Sequence, residues 1–359
     1  MNKPFDGLKV VELAGVLAGP AAGMFFAELG AQVVKIENKL TEGDAIRRWK
    51  LPAEANSTRI SSYYQSVNWG KEIKFLDFND PDDLIVLHGY LNEADIALVN
   101  FKGEDAKKWH LDNTQLRLAY PDLIIGDIKG FKSSHRVAYD AVLQAETGFM
   151  SINGTDASGP LKMPVAFIDL FAGHQLKEGL LIALLQRSKT GKGGLVTVTL
   201  EESAIASLAN QASAWLNTGE LPVRNGSLHP VIAPYGETFK TADNRYIVLA
   251  VGTDLQFKKL CKMLDVPAIL EDDRYLTNAQ RVRNRASLAT DLAAAFAVYT
   301  SEMLMDKLDA AGVPAGIVND MEQLFRSAVA KNMILVQDEA GSFESKRVKT
   351  AVFSIEMNL

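Results

Sequence analysis

The stretch from Lys9 to Glu37 constrains the fold of this chain more than any other. Lys9 to Leu13 reads as a buried strand, Gly15 to Gly19 as a glycine-punctuated turn, and Pro20 suits the first turn of a helix running to Leu29. Gly30 offers a left-handed C-cap, and Gln32 to Glu37 is a second β-rich run. Strand, helix and strand within about 30 residues make a βαβ unit. The alternation continues with a strand over Lys71 to Phe78, a helix over Asp80 to Ala94, and short apolar strands over Ile96 to Phe101 and Leu123 to Ile128. Elements in this order predict a Rossmann-like α/β fold with a parallel sheet covered by helices on both faces.

Farther along, Tyr139 to Met150 reads as helix and Gly154 to Gly159 as loop. A long helix follows Asp169 through Arg187 until the KTGKGG run, Lys189 to Gly194, breaks it. Val196 to Leu200 is β-branched and strand-like, and Glu201 to Asn217 returns to helix. Between Thr218 and Pro234 the composition shifts to Gly, Pro, Asn and Ser, which marks a boundary. Beyond it a strand pair, Gly236 to Lys240 and Tyr246 to Gly252, turns at Asp243-Asn244. Helices follow around Gln256 to Leu264, Arg281 to Tyr299 and Ser301 to Ala311. The expected division is a large domain over residues 1–217 and 330–359 and a smaller α/β domain over residues 226–325, in keeping with a length of 359 residues.

Composition removes several classes of function. Hydrophobic residues make up 47% and charged residues 23%, as in soluble globular proteins. A net charge of -6 provides no basic field to gather nucleic acid or an anionic membrane, so neither is expected as a partner and any anionic ligand must be held by local groups. The single cysteine, Cys261, reads as core and excludes an intrachain disulfide or a cysteine-rich zinc site; no metal centre is expected. Lys3, Asp6, Lys9 and Glu12 interrupt any secretory apolar region, and the longest uncharged stretch, Leu13 to Ala27, is shorter than the roughly 20 residues that span a bilayer. A cytoplasmic enzyme is the expectation. Phosphate-loop, zincin and hydrolase-elbow patterns are absent. Gly15, Gly19 and Gly23 are spaced by four and do not form GxGxxG, although Glu37 stands where a ribose-binding acid would.

Asp169 is the most distinctive side chain, a single carboxylate between Ala166-Phe167-Ile168 and Leu170-Phe171-Ala172. Two roles fit it. An aspartate just before a long helix commonly caps the helix. The same N–H groups hold a carboxylate ionised, and an ionised carboxylate is a nucleophile that needs no general base. Asp140 opens the preceding helix as a first-turn carboxylate favoured by the dipole. Lys102, Lys107 and Lys108 follow a strand end, where ligands bind in open α/β sheets. Arg281, Arg283 and Arg285 read as a solvated helix face.

Together the segments resemble the family III CoA-transferases, the group that includes formyl-CoA and carnitine CoA-transferases and the related α-methylacyl-CoA racemases. The resemblance rests on GLKVVELAGVLAGPAAGMFFAELGAQVVKIE, NWGKEI at Asn68, ADIALVNFK at Ala94 and YDAVLQAETGFMSING at Tyr139. It continues through Asp169 to RSKTGKGGLVTVTLEESA, then HPVIAPYGETF, VGTDLQF and LTNAQRVRNR. It implies an interlocked homodimer with no permanently bound cofactor. Its substrates are coenzyme A, carried as acyl-CoA, and a carboxylic acid. It implies Asp169 as nucleophile, passing through a mixed anhydride to an aspartyl-CoA thioester. It places Leu17 and Ala18 beside the pantetheine or thiol end of CoA. Leu76, Asp77, Phe78, Asn79, Asn100, Phe101, Lys102 and Lys107 fall along the nucleotide end, with Tyr139 and Asp140 near the thioester.

Departures from the family pattern narrow the expectation. Leu17 stands where formyl-CoA transferases carry Gln and Asn38 where they carry a basic residue, and the tetraglycine loop has no counterpart, which points away from formyl and oxalyl groups. Racemases place a His where Tyr139 stands, so one of the two bases needed on opposite sides of an α-carbon is missing. An acyl-CoA:carboxylate CoA-transferase is the expectation, with a racemase or epimerase and a non-catalytic CoA-binding protein as alternatives.

Overall fold

The computed structural model of the chain describes residues 3–54, 60–101, 103–134, 136–338 and 344–356. Contacts divide it into two compact units. One is Met1–Met150 with Lys162–Leu221 and Asn332–Leu359; the other is Ser151–Leu161 with Pro222–Lys331.

In the first unit, strands β1 (Lys9–Glu12), β2 (Gln32–Asn38), β3 (Glu72–Leu76), β4 (Ile96–Val99), β5 (Ile124–Lys129) and β6 (Gly194–Thr199) form one sheet in the order β3-β2-β1-β4-β5-β6. Every neighbouring pair is parallel, as the alternating elements predict. The central strand β4 is buried throughout, whereas the edge strand β6 exposes alternate residues. Successive residues serve opposite faces. Val10, Ile96, Leu98 and Ile124 join one core, and Val11, Ala97, Val99 and Ile125 join the other.

The helices of this unit are α1 (Ala18–Glu28), α2 (Ser62–Asn68), α3 (Pro81–Glu93), α4 (Gly103–Lys108), α5 (Asn113–Ala119), α6 (Asp140–Glu146), α7 (Phe167–Thr190), α8 (Leu200–Ser207) and α9 (Ala209–Thr218). Local chemistry sets their ends. Asp80 caps α3 by accepting from Asp82 N–H at 3.0 Å, with Pro81 in the first turn, and Gly191 ends α7 at φ 69°. Two of the expected helices differ, and α2, α4 and α5 have no counterpart among the expected elements. The helix predicted over Glu201 to Asn217 is broken at Ala209, which takes φ 44°, and the one predicted to Met150 stops at Glu146 before Gly148 at φ 93°. α1 and α7 pack without a gap at Gly173, where a Cβ would lie 2.9 Å from the Ala18 carbonyl oxygen. The last described strands, β10 (Ile334–Asp338) and β11 (Glu344–Val348), pair antiparallel, and the chain after them docks where Glu28 accepts the backbone N–H of Ala351 at 2.8 Å.

In the second unit, β7 (Tyr235–Lys240), β8 (Tyr246–Ala250) and β9 (Ala315–Ile317) form an antiparallel sheet with β8 in the middle. Its core joins Phe239, Ile247 and Leu249 to Leu260, Leu288 and Phe296. Cys261 is part of it, and burial pushes the thiol up to about 12. The arginine run is not the solvated face that its spacing predicts. Arg281 is fully buried, pairs with Asp254 at 2.6 Å and donates to the Ala233 and Tyr275 carbonyls. Arg285 pairs with Glu237 at 2.9 Å, and only Arg283 is exposed. The correction has a plain cause. The helix predicted over Arg281 to Tyr299 is two, Asn278–Arg283 and Arg285–Phe296, and their junction turns guanidinium groups toward carbonyls that sequence spacing does not reveal. Among the described residues no helix is long and apolar enough to cross a membrane.

Candidate active site

The sheet reverses its winding between β1 and β4, and in open α/β sheets the crevice at the carboxyl ends of such strands receives the ligand. Here β1 passes into α1 through a turn built from unusual backbone. Val16 has φ 67°, a left-handed conformation that costs a β-branched residue about 1–3 kcal/mol. Neighbours hold it there: Val16 N–H donates to Asp44 Oδ2 at 3.0 Å, and Gly15 both donates to and accepts from the Asn100 side chain, at 3.2 and 3.1 Å.

Asp169 is not the cap of its helix. α7 starts at Phe167, so Asp169 is its third residue, and Ala166 in the cap position offers no side-chain acceptor. The capping falls to Asp140 at the start of α6. Its Oδ2 accepts Ile168 N–H at 2.8 Å while its Oδ1 accepts the Gln144 amide, whose oxygen in turn accepts Met163 N–H at 2.6 Å. Among the described residues none hydrogen-bonds to the Asp169 carboxylate. Burial, with the Asp140 charge adding to it, pushes that carboxyl up to about 7. The helix start therefore does not hold Asp169 in the ordinary carboxylate range as expected: burial, then the Asp140 charge, raises it.

Aromatic residues surround the pair. Burial first, then the charges of Asp169, Asp140 and Asp44, push the Tyr63 phenol up to about 12, so it keeps its proton and remains a donor. The Tyr63 ring lies 5.3 Å from Trp49, which lies 6.5 Å from the half-exposed Tyr139. Leu17 is buried in an apolar cluster against which Tyr63, Ala166 and Leu170 pack, and Ala18 is buried beside it. Leu17, Ala18, Tyr139, Asp140 and Asp169 are thus gathered at one end of the sheet.

The residues assigned to the nucleotide end form a second group beyond β3 and β4. Phe78, Phe101 and Trp109 make an aromatic cluster with centroids 5.1 to 5.9 Å apart, beside the buried Leu76. Asp77 accepts Asn79 N–H at 2.8 Å, and Asn79 accepts from Trp109 Nε1 at 3.3 Å. Asn100, through Gly15, ties this group to the β1–α1 turn. Lys107 is exposed and pairs with Glu104 at 3.3 Å; Lys102 lies outside the described residues.

Sequence reasoning missed Trp49 and Tyr63, which sit in irregular or short segments with no apolar period. It also missed a buried charge cluster under the turn, formed by Glu12, Lys35, Lys71 and Asp44. Glu37, which stands where a ribose-binding acid would, is engaged by neighbouring side chains instead. It accepts from Arg47 at 2.6 and 2.9 Å and from the Tyr64 hydroxyl at 2.6 Å, contacts that hold its carboxyl below the usual range despite burial. The signal that was available was charge inside strands otherwise made of valine and isoleucine.

The sequence model of the CoA-transferase family III matches residues 5–356. The chain belongs to this family. It is 36% identical over 329 residues to the succinate–glutarate CoA-transferase of Agrobacterium fabrum, covering 90% of this chain and 82% of that protein. It is 33% identical over 327 residues to the succinyl-CoA:glutarate CoA-transferase of Homo sapiens, covering 90% of this chain and 73% of that one. Among solved structures, a CAIB/BAIF family protein from Brucella suis matches with a TM-score of 0.87 at 35% identity, covering 99% of this chain and 93% of that chain. As a family III CoA-transferase the protein is an enzyme whose substrates are CoA thioesters.

Proposed function

We propose that this family III CoA-transferase moves CoA between short dicarboxylates and that Asp169 is the group that takes up the CoA sulfur. One observation carries the assignment of Asp169. It is a buried carboxylate at a helix start whose capping duty another residue performs, which leaves both its oxygens for chemistry. The named substrates of the similar proteins from Agrobacterium fabrum and Homo sapiens, succinate and glutarate, support the dicarboxylate class.

The cycle conserves the thioester. The Asp169 carboxylate attacks the acyl-CoA carbonyl, forming a mixed anhydride and expelling CoA thiolate. The thiolate attacks the aspartyl carbonyl, releasing the donor carboxylate and leaving an aspartyl-CoA thioester. The acceptor carboxylate attacks that thioester, giving a second anhydride and thiolate, and the thiolate then takes the new acyl group and restores Asp169. No net proton moves. Tyr63, protonated and within electrostatic reach of Asp169, is a donor for the developing oxyanions. The apolar cluster of Leu17, Ala166 and Leu170 keeps water from the activated carbonyls. In this reading Leu17 and Ala18 lie beside the thiol end of CoA, and Phe78, Asn79, Asn100 and Phe101 along its nucleotide.

Hydroxylamine added with succinyl-CoA should convert Asp169 alone to a hydroxamate, read by peptide mass. Modification elsewhere, or without the thioester, sinks the assignment. The reaction needs the ionised carboxylate, so kcat/KM should rise with pH through about 7. Asp140→Asn removes the second cause of the raised Asp169 value and should move the midpoint of that profile to lower pH. A midpoint that stays put or rises would show that Asp169 does not govern the profile.

A further inference from the structure

Below the β1–α1 turn, two ammonium groups share one carboxylate. Glu12 ends β1 and is paired in register with Lys35 on β2. The Lys35 ammonium donates to Glu12 at 3.0 Å and to the Ala14 carbonyl at 2.7 Å, and it lies 3.3 Å from Asp44. The Lys71 ammonium donates to both Glu12 oxygens, at 2.9 and 2.7 Å, to the Pro20 carbonyl at 2.9 Å and to Asn68 at 3.1 Å. The two lysines thus grip the chain at Ala14 and at Pro20, on either side of the left-handed Val16, while Asp44 holds the Val16 N–H between them. All four side chains are essentially sealed from water, and burial pushes the Lys71 amine down to about 7 against the opposing pull of Glu12.

Such a cluster is a poor stabiliser, since well-packed apolar residues of the same volume serve a fold as well or better, so what it holds in place matters more than what it adds to stability. What it positions is Leu17 and Ala18. Leu17 packs in one cluster with Ala166 and Leu170, which bracket Asp169, and the Ala18 carbonyl lies against Gly173, one helical turn beyond Asp169.

We propose that Glu12, Lys35, Lys71 and Asp44 are positioning residues for CoA transfer: they fix the Ala14 to Pro20 turn, with Val16 left-handed, against the Asp169 end of α7. The proposal rests on the reading of Asp169 as the reacting carboxylate. Without the cluster the Val16 backbone relaxes toward negative φ and Leu17 withdraws from α7. The aromatic group of Phe78, Phe101 and Trp109 is not part of the turn, so the loss is expected mainly on kcat.

The test uses Asp44→Asn and the double variant Glu12→Gln with Lys71→Met, each with and without Val16→Gly. Glycine adopts φ 67° freely, so it restores the turn without restoring the charges. Each lesion is expected to lower kcat about tenfold or more with KM for succinyl-CoA little changed, at a temperature where circular dichroism shows the protein folded. Val16→Gly should recover most of that loss. If the double variant does not fold, Asp44→Asn, which keeps shape and one acceptor, decides alone. Full kcat in the folded variants, or a loss that Val16→Gly leaves unrepaired, overturns the proposal. Asp169→Asn runs alongside: full activity there refutes the transfer reading itself, whereas an inactive Asp169→Asn beside fully active cluster variants refutes only the positioning role.

Discussion

Asp169→Asn should abolish CoA transfer and at the same time make the protein more stable above pH 7. In the proposed cycle a carboxylate oxygen of Asp169 takes the acyl group and its carboxyl carbon then takes the sulfur; an amide is no such nucleophile, and a loss of about 10³-fold or more is expected. The second follows from linkage. The Asp169 carboxyl is raised to about 7 in the folded state, against about 3.9 when unfolded. The folded chain therefore holds this proton to higher pH than the unfolded chain does. Its contribution to stability is fully present below the unfolded value, declines as pH rises, and is lost once pH has passed through about 7. Above that point the buried charge costs on the order of 4 kcal/mol, which an uncharged amide of the same shape avoids. Melting at pH 8 should then occur about 5 °C higher in the variant, with a smaller gain at pH 5. An equal gain at both pH values would mean that the charge is not the cause, and a variant that still transfers CoA would end the assignment of Asp169.

How far the sequence reveals this arrangement depends on the range of the interactions. The strands and the longer helices of the first unit follow from local pattern, because each strand of the sheet has its own apolar run and each long crossover helix its own cap or glycine, whereas α2, α4 and α5 are too short to show a period. Asp169 stands out for a similar reason, as a lone charge in an apolar stretch. Its raised carboxyl is not legible because burial, the larger cause, depends on packing, and the lesser one, Asp140, caps α7 from another helix 29 positions earlier with no periodicity linking the two. The charge cluster is hidden for a related reason. Lys35 and Lys71 come from β2 and from the residue before β3, and in single strands they read as solvated positions; only the parallel register brings them to Glu12. Arg281 shows the same limit in the second unit, its partners Ala233, Asp254 and Tyr275 lying on three separate segments. Long-range charge pairing leaves a trace in composition without naming its partner.

The fourfold spacing of Gly15, Gly19 and Gly23, uninformative as a nucleotide signature, acquires a cause from the same cluster. A Cβ on Gly23 would fall 1.9 Å from Glu12 Oε2 and 3.3 Å from a methyl of Leu98. α1 can lie on the sheet only if this position has no side chain. Gly23→Ala gains about 0.5–1 kcal/mol of helix preference. Against that, the carboxylate cannot move without leaving Lys71 buried with no carboxylate and Lys35 with Asp44 alone, a loss of about 3–5 kcal/mol. If α1 moves instead, the packing of Ala18 against Gly173 opens beside Asp169. Overlap therefore outweighs propensity, and Gly23→Ala should destabilise the protein by about 3 kcal/mol or more and depress kcat along with stability. Gly89→Ala is the matched control. It sits in α3, where an added Cβ meets nothing within 4 Å, so the same change there should stabilise by about 0.5–1 kcal/mol and leave transfer unaltered. Denaturant midpoints for the two variants should fall on opposite sides of the parent protein. If both glycines accept alanine with the same gain, the buried carboxylate is not held where its two lysines place it.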